Sequence, residues 1–133
     1  MTTRAGVLDT SVFMASETDR PLDVGRLPEE SYVSVITVAE LQVGVLVAKD
    51  TFTRGRRLAT LSSISHLDPL PVDLEAAARW AELRVRLAEV GQAMNVNDLW
   101  IAAIAAAHRM PVVTQDNDFA ALEAIGGPEV LTV

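Results

Sequence analysis

Four short apolar runs are separated along this chain by stretches of helical periodicity, and that alternation leaves few architectures open. Ala5-Gly-Val-Leu8, Tyr32-Val-Ser-Val35, Pro111-Val-Val-Thr114 and Val130-Leu-Thr-Val133 read as strands. Between them Thr10 to Ser16 begins a helix, and Thr37 to Ala48 carries a second. The polar, basic run Lys49 to Arg57 reads as a connection into a helix ending near Ile64. His66 to Val72 holds Pro69 and Pro71 and is expected to be extended. Strands alternating with helices imply a parallel sheet covered on both faces. The expectation is an α/β fold: one domain over residues 1–133, with a central parallel sheet of four or five strands and helices on both faces.

The clearest helix runs from Asp73, a good N-cap, to Val90, where Gly91 supplies the stop. Its apolar residues form two neighbouring stripes, Leu74, Ala77, Ala81, Val85 and Ala88 beside Trp80, Leu83, Leu87 and Val90, both expected to face inward. A further helix, from about Asn97 to Arg109, is apolar nearly all round, as buried helices are. Phe119 to Ile125 reads as a short helix before a Gly126-Gly127-Pro128 turn.

Composition removes whole classes of chemistry. With 50% hydrophobic and 22% charged residues in 133, the chain can bury a core. It has no cysteine, hence no disulfide, thiolate zinc site or cysteine nucleophile. Eleven basic against eighteen acidic residues give a net charge of −7, the wrong sign for holding nucleic acid by bulk electrostatics. Contact with RNA or DNA must therefore be local. Asp9 interrupts the apolar run that a secretory signal needs, so the cytoplasm is the expected location.

The informative residues are acids. Asp9 follows the first strand, Glu40 falls in the first turn of the second helix, Asp98 opens the apolar helix, and Asp116 follows Val112-Val-Thr114. Each also has a purely structural explanation. Asp9 can cap a helix, and Thr37-Val-Ala-Glu40 matches a capping box. Asn97-Asp98 places an anion where the helix dipole favours it, and Gln115-Asp-Asn-Asp118 can be an Asx turn. Capping, however, gives no reason for four such positions to gather at one end of a sheet, where open α/β folds bind ligands. Carboxylates that gather raise one another's pKa unless a cation or protons neutralise them. An all-oxygen set selects a hard ion, Mg²⁺ or Mn²⁺, whose retained water can attack a phosphodiester.

These segments resemble PIN-domain ribonucleases, and within them VapC-type toxins of bacterial toxin–antitoxin pairs. Val7-Leu-Asp9-Thr10-Ser11 is similar to the opening motif, Thr37-Val-Ala-Glu40-Leu to the second, and Asn97-Asp98-Leu-Trp-Ile-Ala-Ala to the third. Pro111-Val-Val-Thr114-Gln-Asp116-Asn-Asp118-Phe119 is similar to the fourth. The resemblance implies a Mg²⁺-dependent endoribonuclease, with Mn²⁺ as substitute, and extends over essentially the whole chain. Asp9 and Asp98 would be the principal metal ligands, Glu40 would complete the acidic cluster, and Asp116 would contribute directly or through water. Thr10 and Thr114 would be supporting hydroxyls, with Asn97 accessory and Asp118 either accessory or the cap before Phe119. It further implies a homodimer silenced by a VapB-type antitoxin lying in the acidic groove.

Lys49, Arg54, Arg56 and Arg57 form a basic segment that is either a solvated face or a guide for RNA phosphates. His66 and His108 are placed too far apart for paired acid–base work and read as surface or structural residues. Two rivals share the expected fold. A phosphotransfer receiver needs a lysine on a late strand, whereas the only lysine is Lys49. A non-catalytic binding module would use the same acids merely as caps.

Overall fold

A computed structural model describes residues 3–133. Four strands, β1 (Ala5–Leu8), β2 (Glu30–Tyr32), β3 (Val112–Thr114) and β4 (Val130–Thr132), form one sheet in the order β2-β1-β3-β4, parallel throughout. The helices are α1 (Thr10–Phe13), α2 (Val35–Leu46), α3 (Thr51–Ser63), α4 (Leu74–Glu89) and α5 (Val96–Ala107), with 3-10 turns at Val24–Arg26 and Ala120–Ile125. The expected α/β architecture is present, with four strands. No helix among the described residues is long and apolar enough to cross a membrane.

Strand pleating divides the core. Val7 and Val112 point to the face covered by α4, α5 and the 3-10 turn at Ala120–Ile125, while Leu8 and Val113 point to the opposite face, against Val12 of α1. Ile101, Ala102, Ala103 and Ile104 have no exposed surface, which accounts for an α5 that is apolar nearly all round. Gly6 lets β1 approach β3: a Cβ built there would lie 2.7 Å from Cγ2 of Val113.

Several boundaries differ from those read in the sequence. The second strand is Glu30–Tyr32 and shares only Tyr32 with the expected run to Val35, because Ser34 caps α2 and accepts a hydrogen bond from the Thr37 amide. Thr37 is therefore inside the helix, Glu40 lies in its second turn rather than the first, and no Thr37–Glu40 capping box exists. The run from Thr51 onward is not a connection but α3 itself, begun by Asp50, whose carboxylate accepts from the Thr53 amide. His66 and His108 are exposed.

On α4 only one of the two apolar stripes turns inward, and it does so only as far as Leu87, since Val90 at its end is exposed. Asp73 caps the helix and Gly91 leaves it at φ 69°, as read. Ala76, Leu83 and Leu87 are buried, and Trp80 stacks on Trp100 of α5 with centroids 5.1 Å apart. Leu74 and Val85 remain 90% and 57% exposed, and Ala77, Ala81 and Ala88 are exposed with them. One helix buries only the face that its neighbours cover, and here α5 and the 3-10 turn at Ala120–Ile125 lie on the Leu83–Leu87 side. Leu83→Ala is expected to lower the unfolding free energy by about 2–5 kcal/mol. Val85→Ala should change it by less than about 0.5 kcal/mol. Urea unfolding of the two variants checks this, and equal losses would place Val85 in the core.

Candidate active site

The chain order reverses between β1 and β3: β2 lies on one side of β1, and β3 with β4 on the other. Such a reversal leaves a crevice beyond the carboxyl ends of the two strands. Asp9 leaves β1 there and Asp116 leaves β3. A cleft of about 380 Å³ opens at this point, lined by Asp9, Glu40, Asp98, Asp116 and Asp118 together with Thr10, Ser11, Arg20 and Asn95.

Asp9 occupies the N-cap position of α1 but makes no cap bond with its side chain. Its carboxylate, with Asp9 only 4% exposed, instead takes two hydroxyl donors on one oxygen: Ser11 Oγ at 2.8 Å and Thr114 Oγ1 at 2.9 Å from Oδ2. Each hydroxyl spends its single hydrogen on Asp9 and also accepts from the β3 loop, Ser11 from the Gln115 amide and Thr114 from the Asp116 amide. The result is a closed set of bonds fixing Asp9 relative to the loop that carries Asp116.

Glu40 is held in a similar way. Thr10 Oγ1 donates to Glu40 Oε1 at 2.7 Å, so the 3.0 Å contact between Thr10 and buried Thr37 must be donated by Thr37. Thr37 thus acts through Thr10, a role the sequence reading assigned to helix capping instead. Asp98 lies in the first turn of α5, whose cap is Asn95. Burial first, and then the negative charges of Asp9, Asp118, Glu40 and Asp116, push its carboxyl up to about 7. Four carboxylates therefore lie near enough to Asp98 to be felt by it.

Asp116 is engaged by Arg20, whose Nη1 donates to Oδ1 at 2.8 Å while Nη2 donates to the Gln115 carbonyl at 2.7 Å. Asp118 is exposed and caps nothing, because the 3-10 turn at Ala120–Ile125 has Phe119 at its cap position without a side-chain bond. Its carboxylate lines the cleft. Asn97, expected as an accessory, lines an adjoining apolar groove with Ile36, Ala39 and Val43, and Asn95 takes the place in the cleft. Lys49, Arg54, Arg56 and Arg57 do not line the cleft. Arg54 and Arg57 donate to the Ala48 and Gly44 carbonyls at the end of α2, and Arg56 to the Ser16 carbonyl. Ser11, Arg20, Asn95 and Thr37 were missed as site residues. Ser11 was discernible two positions after Asp9, whereas nothing local marks Arg20.

The donor set fits a hard divalent cation, being all oxygen and crowded enough with charge to hold a proton on Asp98 near neutrality. Among the described residues, no three acidic or histidine side chains are already drawn together as a ready-made ligand group. The acids surround the space rather than closing upon it.

Because Asp98 binds its proton more tightly in the folded chain than in the unfolded one, the folded state holds an extra proton between about pH 4 and pH 7. Stability is therefore lost as pH rises through that window. Without added divalent ions, Asp98→Asn is expected to melt at nearly the wild-type temperature at about pH 4 and above it beyond about pH 7. Melting curves across this range check the sign, and a gap independent of pH would show that Asp98 titrates like an exposed carboxylate.

The PIN domain family matches residues 6–125. Ribonuclease VapC5 of Mycobacterium tuberculosis is 52% identical over 132 residues, spanning 99% of this chain and 98% of that protein. Ribonuclease VapC4 of the same organism is 38% identical, with full coverage of both chains. The fold is similar to that in the crystal structure of VapBC-5, a member of the VapBC family of toxin–antitoxin systems from M. tuberculosis, with TM-score 0.91 and 51% identity, covering 97% of this chain and 98% of that one. On this match and these identities, the chain belongs to the PIN-domain family, in its VapC-type branch.

Proposed function

We propose that this protein is a Mg²⁺-dependent endoribonuclease, the toxin of a VapBC-type toxin–antitoxin pair acting in the cytoplasm. The observation that carries the reading is the convergence of Asp9, Glu40, Asp98, Asp116 and Asp118 on one cleft at the reversal of strand order. The names of its relatives, Ribonuclease VapC5 and Ribonuclease VapC4, support RNA as the substrate, and the VapBC-5 complex supports a VapB-type antitoxin as partner. A homodimer is part of the same reading.

In this reading Asp9 and Asp98 are the principal ligands, Glu40 completes the acidic cluster, and Asp116 contributes directly or through water. A bound Mg²⁺, with Mn²⁺ as substitute, supplies an activated water and neutralises charge at the scissile phosphate. The chain's own contribution is placement. Ser11 and Thr114 fix Asp9, Thr37 and Thr10 fix Glu40, and the buried body of α5 holds Asp98 against the repulsion of its neighbours.

Asp9→Ala and Asp98→Ala are expected to reduce RNA cleavage by at least about 10²-fold while leaving the circular dichroism spectrum unchanged. Excess EDTA should do the same to the wild type. Millimolar Mg²⁺ or Mn²⁺ should raise the wild-type melting temperature but not that of Asp9→Asn. Full cleavage by Asp98→Ala, or undiminished cleavage in EDTA, refutes the metal-dependent reaction. A properly folded wild type that cleaves no RNA favours the binding-module reading.

A further inference from the structure

Any RNA phosphate entering this cleft approaches five carboxylates, and of the residues lining the cleft only Arg20 carries a positive charge. We propose that Arg20 is a phosphate-binding residue of the site, oriented by Asp116 and the Gln115 carbonyl. The inference rests on the ribonuclease reading above and adds a residue to it.

Four observations support this role. First, the guanidinium is fixed at two points, to Asp116 Oδ1 and to the Gln115 carbonyl, which uses only part of its fork of five N–H donors. The remaining donors are available to a phosphate, for which the planar fork is well matched. Second, the backbone beneath it is set: the Arg20 amide donates to the Ala15 carbonyl, and the preceding Asp19 takes a left-handed conformation at φ 53°. Third, the clasp is reciprocal, because Gln115 Nε2 donates to the Pro21 carbonyl at 3.0 Å, joining the segment after α1 to the loop after β3. Fourth, the ion pair stays wet, with side chains 47% and 33% exposed. Pairs of that exposure contribute little to folding, so stability alone is a weak reason for so determined a geometry. The basic residues of α3, by contrast, direct guanidinium groups to backbone carbonyls away from the cleft.

The test measures binding of a short single-stranded RNA, by fluorescence anisotropy over a range of salt, in an Asp98→Asn background that prevents cleavage. Arg20→Gln should weaken binding about tenfold and make the slope of log affinity against log salt shallower by about 0.7, the loss of one phosphate contact. Arg20→Lys, which keeps the charge but not the fork, should restore the salt slope while recovering only part of the affinity. In the cleaving protein, Arg20→Gln should raise KM about tenfold with kcat changed less than about threefold. A folded Arg20→Gln protein with unchanged affinity and salt slope overturns the inference and leaves Arg20 as a clasp between loops. If Arg20→Gln does not fold, the Arg20→Lys slope decides: a loss of about 0.7 there overturns the role as well, because the charge is still present. RNA that fails to bind even with Arg20 intact overturns this inference together with the reading beneath it.

Discussion

The acidic cleft depends on β1 and β3 lying side by side in parallel. Val7 pairs with Val112 and Leu8 with Val113, and the Asp9 amide still donates to the Val113 carbonyl at 2.8 Å. That register brings Asp9 level with Thr114, so a hydroxyl 105 positions away reaches its carboxylate. A slip of one residue would turn every side chain to the opposite face and dissolve the contact. Gly6 preserves the pairing, since there is no room for a Cβ against Val113. The two strands then end together, and their loops separate around the space where the acids gather.

Gathering them costs stability. Burial and four neighbouring carboxylates oppose ionisation of Asp98, and the packing of α5 must outweigh that repulsion. Its long buried face, continuous with Val7, Val112 and Phe119, does so with apolar contacts that are indifferent to charge. The repulsion among the acids is thus borne by a rigid apolar scaffold. The hydroxyls of Ser11, Thr10, Thr37 and Thr114 orient the carboxylates without neutralising them, and Arg20 relieves only the Asp116 side. A cleft arranged in this way keeps its negative charge available to a cation while holding one cation of its own at the rim.

Much of this is legible in the sequence alone. The alternation of short apolar runs with long helical stretches specifies a parallel α/β fold, although a run of three or four residues does not fix its own bounds, as the second strand shows. Asp73 and Gly91 bounded α4 because a cap and a left-handed stop are local features. Errors occurred where local signals competed. Ser34 and Thr37 are both acceptable caps three residues apart, and the helix uses the first because Val33 and Ser34 are still drawn into an extended pairing with Leu70. On α4, two apolar stripes satisfy the same periodicity, and only the positions of α5 and the 3-10 turn at Ala120–Ile125 select the one that is buried.

The sequence by itself determined which chemistry the protein could hold: oxygen ligands without thiols, four motif acids at strand ends and helix starts, and too little positive charge to bind RNA broadly. Tertiary structure alone decided which of those acids cap and which face the cleft, because a carboxylate's partner depends on what lies across the sheet. Asp9 turned from its helix to Thr114, Asp118 capped nothing, and Arg20, unremarkable along the chain, came to rest beside Asp116. Hydrogen bonds and charges act over a few ångströms of space, whereas the pattern of a sequence records only neighbours along the chain.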